Sequence, residues 1–187
     1  MNNNKNGESK LEKTAREGAF GPTEIKKGEK NRYLGEFEER IIAYLTESQV
    51  KEKALYPELR QALKEKEAYK LIIRGDMDKN NIAEYIKWAR EEGVSFNRKN
   101  SPDFKGNVAL AVAGKQAVSQ QLGKIPDRKE KLQKRGLSDT IIKNAGSLLC
   151  SDCWQELMEK APEEKINYKK AGFFDRITGT DCVGCKK

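Results

Sequence analysis

Apolar positions along the chain alternate between two spacings, and the changes between them divide it. Residues 1–30 are polar and charged, punctuated by Gly18, Gly21 and Pro22, and predict a flexible arm with a docked segment around Phe20. Leu34, Phe37, Ile41, Tyr44 and Leu45 then recur at helical spacing, which predicts a helix following Gly35. A second helix is expected from Pro57 to Glu65: proline suits a first turn, and Leu59, Ala62 and Leu63 share a face. Tyr69 to Arg74 reads as a short buried strand ended by Gly75. Ile82, Tyr85, Ile86 and Ala89 lie at i, i+3, i+4 and i+7, so a helix is predicted from Asp78 to Glu92 with Gly93 as its stop. Val94–Phe96 and Val108–Val112 predict two further strands, the latter followed by a helix start at Gly114-Lys115. Strands alternating with helices imply a parallel or mixed sheet covered by helices.

After Gly123 the pattern shortens. Two small helices are expected to meet at Gly136, with Ser138 capping the second. Over residues 124–143, Lys124, Arg128, Lys129, Lys131, Lys134, Arg135 and Lys143 face only Asp127, Glu130 and Asp139. Four segments are therefore expected: an arm (1–30), an α/β core (31–123), a basic helical connector (124–147) and a cysteine module (148–187).

Composition sharpens this. Hydrophobic residues make up 36% of the 187-residue chain and charged residues 35%, which favours a modest core with solvated appendages. The formal net charge is +8, a balance that suits polyanions such as RNA, DNA or acidic membrane surfaces, or serves solubility alone. No stretch approaches the apolar length of a membrane span, and the start lacks the apolar run of a secretory signal. A cytoplasmic protein is expected, in which paired cysteines read as metal ligands before disulfides. There is no histidine, which excludes Ser–His and Cys–His nucleophilic schemes.

Several blocks in residues 19–118 carry a resemblance. They are Phe20-Gly21-Pro22-Thr23-Glu24; Tyr33-Leu34-Gly35 through Glu38-Glu39-Arg40 to Leu45-Thr46 and Gln49-Val50; Leu71-Ile72-Ile73-Arg74-Gly75; and Asn107 to Ala113 with Ala117-Val118. Together, and in this order, they resemble the YueI-like family of uncharacterised bacterial proteins. The resemblance implies a mixed-sheet α/β sandwich of chorismate mutase-like layout, a layout also similar to that of small ribosomal and kink-turn RNA-binding proteins. It implies no catalytic residue, and it stops short of the basic segment and the cysteines.

The cysteines form two C-x-x-C pairs, Cys150/Cys153 and Cys182/Cys185, separated by residues 154–181. Each pair can form a knuckle presenting two sulfurs to one metal, and two knuckles complete a tetrahedral site. One structural zinc is the leading expectation. A redox dithiol pair, an iron–sulfur cluster and unliganded thiols are the alternatives. Four protein thiolates leave no position for water or substrate, so such a site serves folding rather than catalysis. Gly184 is expected to free the second knuckle for positive φ. Trp154 to Met158 can begin a helix, and Phe173-Phe174 to Ile177 a strand or hairpin.

Weaker signals have plainer readings beside them. Asp76-Met77-Asp78-Lys79-Asn80 imitates a calcium loop but has Asn81 and Lys87 where glycine and glutamate are needed. Gly114-Lys115 lacks both the earlier glycine and the following Ser or Thr of a phosphate loop. Residues 132–143 resemble a short helix-turn-helix, or simply a basic connector. Lys165, Tyr168, Lys169, Lys170, Phe173, Phe174 and Arg176 interleave cations with rings, as RNA surfaces do or as a small solvated module does. The expected function is a non-enzymatic binding protein associated with RNA or a ribonucleoprotein, with Lys129, Lys131, Lys134, Arg135, Lys169 and Lys170 in its footprint. The alternatives are a protein adaptor docking through the zinc module, and an enzyme with a pocket on the α/β core.

Overall fold

The computed structural model describes residues 27–172 and 182–185. Its core is a five-stranded mixed sheet: β1 (Ile41–Thr46), β2 (Ala68–Arg74), β3 (Ser95–Lys99), β4 (Val108–Gly114) and β5 (Gly123–Lys124), in the order β3-β2-β4-β1-β5. β4 pairs antiparallel with β1 and β2, while β3 lies parallel to β2 and β5 parallel to β1. Central β4, Val-Ala-Leu-Ala-Val-Ala-Gly, is buried throughout, as an apolar run covered on both faces must be.

One face carries α2 (Glu47–Lys51), α3 (Pro57–Leu63) and α4 (Lys79–Glu91). Leu71 and Ile73 of β2 and Leu110 and Val112 of β4 meet Leu59, Leu63, Ile82, Tyr85 and Trp88 there. The alternate residues Ile72, Ala111 and Ala113 point to the other face. Tyr33 and Leu34, which follow α1 (Lys27–Arg32), cover them with Phe104.

The helices over 57–65 and 78–92 form as the periodicity predicts, with Pro57 in the first turn of α3 and the Asp78 carboxylate accepting from Asn80 N–H at the start of α4. Gly93 follows with φ +70°. The helix expected after Gly35 does not form. Residues Glu38–Arg40 make a single 3-10 turn and Ile41–Thr46 is a strand. Ile41, Ile42, Ala43 and Leu45 are all buried. A continuous apolar run sandwiched between two layers contains helix-spaced members without being helical. No helix starts at Gly114 either. A Cβ there would lie 2.6 Å from Val118 Cγ1 and 3.2 Å from Glu67 O, so the glycine lets the chain double back.

The sandwich's second face holds an ion cluster. Glu36 Oε1 accepts from Lys70 Nζ at 2.8 Å and from Lys99 Nζ at 2.9 Å, and its carboxylate is 8% exposed. Burial alone raises the Glu36 pKa, but the two ammonium groups outweigh it and hold it below the ordinary value of 4.5. A depressed carboxylate stabilises the fold above its unfolded pKa, and that contribution disappears as pH falls through the folded value. Glu36→Gln is expected to cost about 2 kcal/mol near neutrality. Urea titrations should show the difference from wild type shrinking below pH 4.5; a pH-independent difference would remove the electrostatic explanation.

Beyond β5 lies a second, smaller unit: α5 (Arg128–Lys134), α6 (Asp139–Lys143), β6 (Leu148–Leu149), α7 (Ser151–Lys160), a 3-10 segment Pro162–Asn167 and β7 (Lys169–Lys170). β6 and β7 pair in parallel. Leu132, Leu137, Ile141, Ile142, Leu149, Leu157 and Tyr168 share one apolar cluster with Cys153 and Cys182. The structure therefore draws no boundary at residue 147: the basic helices and the cysteine region have a common core. Gly136 takes φ +76° between α5 and α6, and Ser138 caps α6 through Ile141 N–H, as the sequence suggests. With only five residues, and with Ile141 and Ile142 buried, α6 is an internal packing element rather than a groove-reading helix. Of the predicted arm, Lys27 to Lys30 begin α1. The segment around Phe20 and the Phe173–Ile177 hairpin lie outside the described residues.

Candidate metal centre and the seam that carries it

Strand β6 delivers the chain to Cys150, which sits at the N-cap of α7 with extended φ and ψ, and Cys153 falls in the helix's first turn. The second pair arrives in the turn 182–185. One sulfur from each of Cys150, Cys153, Cys182 and Cys185 lies within 4.8 Å of the others, and Cys150 Sγ is 3.6 Å from Cys185 Sγ. A disulfide needs about 2.05 Å, whereas tetrahedral thiolates at about 2.3 Å from zinc stand about 3.8 Å apart. The donor set fits one tetrahedral metal. The four expected ligands are brought together, and all four cysteines are free thiols.

The surroundings favour the thiolate at Cys182. Burial pushes Cys182 up, but N–H groups of Cys150, Cys185 and Gly184 donate toward its sulfur and bring it down to about 6. The Cys150 and Gly184 donors are at 3.2 and 3.4 Å. Burial and the neighbouring thiols push Cys153 upward. The amino end of α7 adds positive potential beside Cys150 and Cys153.

Gly184 has a different role from the expected one. It does not take a positive φ. A Cβ at this position would lie 2.6 Å from Cys153 Sγ and 3.2 Å from Ile141 Cγ1. The second knuckle thus passes directly over the first, and only hydrogen fits between them. Gly184→Ala should cost about 1–3 kcal/mol of overpacking. In competition with a chromophoric chelator it should lose metal at least tenfold more readily than wild type. Equal retention would mean that the knuckle shifts freely.

The nucleic-acid residues proposed from sequence separate into two groups. Lys129, Lys134, Lys169 and Lys170 are exposed and make no ion pair among the described residues. Lys131 instead turns inward, with its side chain 14% exposed, to meet Glu58 and Glu164, while Arg135 pairs with Glu163. Sequence reasoning counted Arg128 only as one more charge of the basic segment. Its guanidinium is buried and donates to Glu164 Oε2 at 2.8 Å, Ile142 O at 2.8 Å and Tyr168 Oη at 2.7 Å. The Tyr168 hydroxyl in turn donates to Ile141 O. The available signal was position: Ile125, Arg128 and Leu132 follow the spacing of one helical stripe, so this arginine replaces an apolar residue on the inward side of α5.

These groups form a seam with the sheet domain. Asn167 accepts from Leu55 N–H at 2.7 Å and donates to Leu55 O at 2.8 Å, as a strand partner would. Gln49 donates to Ile125 O at 2.9 Å, and Lys131 reaches across to Glu58 of α3. Alongside runs a groove of about 400 Å³ lined by Glu58, Arg60, Lys64, Arg135 and Glu163.

Together the fold and the site define an α/β sandwich extended by a tetrathiolate unit. The chain belongs to the family described as protein of unknown function (DUF1694), which it matches over residues 8–123. It is 30% identical over 120 residues to the uncharacterized protein YueI of Bacillus subtilis (strain 168), covering 64% of this chain and 91% of that one. The crystal structure of YueI superposes with a TM-score of 0.52 at 30% identity, covering 63% of this chain and 92% of that chain. The mixed α/β fold expected from the resemblance is therefore shown. The family match ends at β5, before Cys150, so the cysteine cluster belongs to the extension. No helix among the described residues is long and apolar enough to cross a membrane.

Proposed function

We propose that this protein is a non-enzymatic binding protein whose extension is held by one structural zinc ion and whose partner is RNA or a ribonucleoprotein. The observation that carries the zinc reading is the closed set of four mutually adjacent sulfurs, with no histidine or water position in the ligand set. Lys129, Lys134, Lys169 and Lys170 support the polyanion reading. They make no ion pair among the described residues, whereas Arg128, Lys131 and Arg135 are matched by Glu164, Glu58 and Glu163. The proposed footprint accordingly excludes Lys131 and Arg135.

Elemental analysis of the purified protein should give one zinc per chain; iron with visible absorption would replace zinc by a cluster. Crosslinked pull-downs with and without nuclease test the partner. Nuclease-sensitive recovery, weakening steeply with salt on the order of three counterions released, is expected. A partner that survives nuclease and high salt would instead establish a protein adaptor.

A further inference from the structure

The four sulfurs do not meet solvent equally. Cys153 and Cys182 are buried, at 7% and 5% exposure, whereas Cys185 is exposed and Cys150 half-buried. Each C-x-x-C knuckle therefore supplies one inner and one outer sulfur. The inner pair is wrapped by protein. Both inner cysteines belong to the apolar cluster of the extension. The chain at Gly184 passes against Cys153 Sγ, so closely that a Cβ would stand 2.6 Å from it. Cys182 Sγ accepts from the N–H groups of Cys150 and Gly184.

The outer sulfurs come from different knuckles and face each other. Cys150 Sγ and Cys185 Sγ are 3.6 Å apart, and a disulfide needs about 2.05 Å. A shift of about 1.5 Å, shared between two side chains, closes that gap. Pairing within either knuckle would instead join an outer sulfur to a buried one. The cross-knuckle pair is thus the combination that joins the two most accessible thiols of the set.

We infer that Cys150 and Cys185 form an oxidation site for hydrogen peroxide, whose disulfide product opens the four-sulfur set and discharges the proposed zinc. The inference rests on the zinc reading of these sulfurs. The Cys185 thiolate attacks one peroxide oxygen: an S–O bond forms, the O–O bond breaks and hydroxide leaves, giving a sulfenic acid. The Cys150 thiolate then attacks that sulfur, forming the S–S bond and expelling a second hydroxide. Two electrons pass from the two sulfurs to the peroxide. Only Cys153 and Cys182 remain as thiolates, and the thiolate is the form that ligates metal. The disulfide joins the same two knuckles, so the turn 182–185 stays tethered to the start of α7. A dithiol, itself oxidised to a disulfide, then regenerates both ligands in place.

The test treats the full-length zinc-loaded protein with one equivalent of hydrogen peroxide beside a chromophoric chelator. Zinc should appear at least about tenfold faster than without peroxide, because the exposed thiolate is the reactive form. Non-reducing mass spectrometry should find Cys150 linked to Cys185. Cleavage before Asp152 separates Cys150 from Cys153, and fragmentation of the linked peptide distinguishes Cys182 from Cys185. Dithiothreitol with added zinc should restore the starting metal content. A linkage within either knuckle, oxidation to sulfinic acid without a disulfide, or release accelerated less than about twofold overturns the inference while the structural zinc stands. A purified protein without zinc overturns both.

Discussion

Removing the proposed zinc is expected to unfold the whole extension, from α5 through Cys185, while the five-stranded sheet keeps its structure. Two of the ligands, Cys153 and Cys182, are themselves members of the apolar cluster that joins α5, α6, α7 and Tyr168. Loss of the proposed zinc would leave four thiols, two of them buried, with no common centre to hold the knuckles together. A structural zinc contributes an apparent 10–16 kcal/mol or so in small modules, comparable to the whole net stability of a domain. Reading the connector and the cysteine module as separate would have confined unfolding to residues 148–187. The shared core moves that limit back to about residue 125. Hydrogen exchange with and without chelator, or on Cys150→Ser, should show α5 and α6 losing protection together with α7, and β4 unaffected. Protected α5 and α6 would mean that the helices hold without the metal. Simultaneous loss in β4 would mean that the seam joins both units into one cooperative body.

The second large effect concerns Arg128. Replacement by methionine keeps most of its volume but leaves the fully buried Glu164 carboxylate with Lys131 and Asn167 as partners. Breaking one side of a buried pair typically costs 3–5 kcal/mol, because the remaining charge stays desolvated. Arg128→Met should therefore destabilise the extension by about that amount. Adding Glu164→Leu should recover part of the loss. A double-mutant cycle in urea measures the coupling, and strictly additive effects would show that the pair is not energetically linked. Lys129→Met, one residue away but solvated, should change stability by less than about 0.5 kcal/mol.

What could be read from the sequence follows the directness of its signals. The four ligands were legible because C-x-x-C is a local geometric device that needs no knowledge of distant packing. Helices α3 and α4 were legible because each has one buried face and a clear start. β1 was not, because burial on both faces removes the alternation that separates strand from helix, leaving Ile41, Tyr44 and Leu45 to imitate a helical stripe. Gly184 was recognised as necessary for the wrong reason: a contact between two knuckles 31 residues apart is invisible in either knuckle alone. Arg128 and Lys131 looked like their neighbours because charge count records a side chain's type and not its direction. Their carboxylate partners Glu58 and Glu164 lie in other elements, so only the tertiary structure distinguishes seam from surface.

The spacing of the ligand set has a consequence for biosynthesis. Every strand of the large sheet has been made once Lys124 leaves the ribosome, and Asn167 supplies the anchor to Leu55 later. The set of four sulfurs is complete only when Cys182 and Cys185 follow. A nascent chain paused between these points displays a finished sheet beside half a ligand set. A four-sulfur centre holding the proposed zinc would therefore be complete only on chains whose translation has passed Cys185.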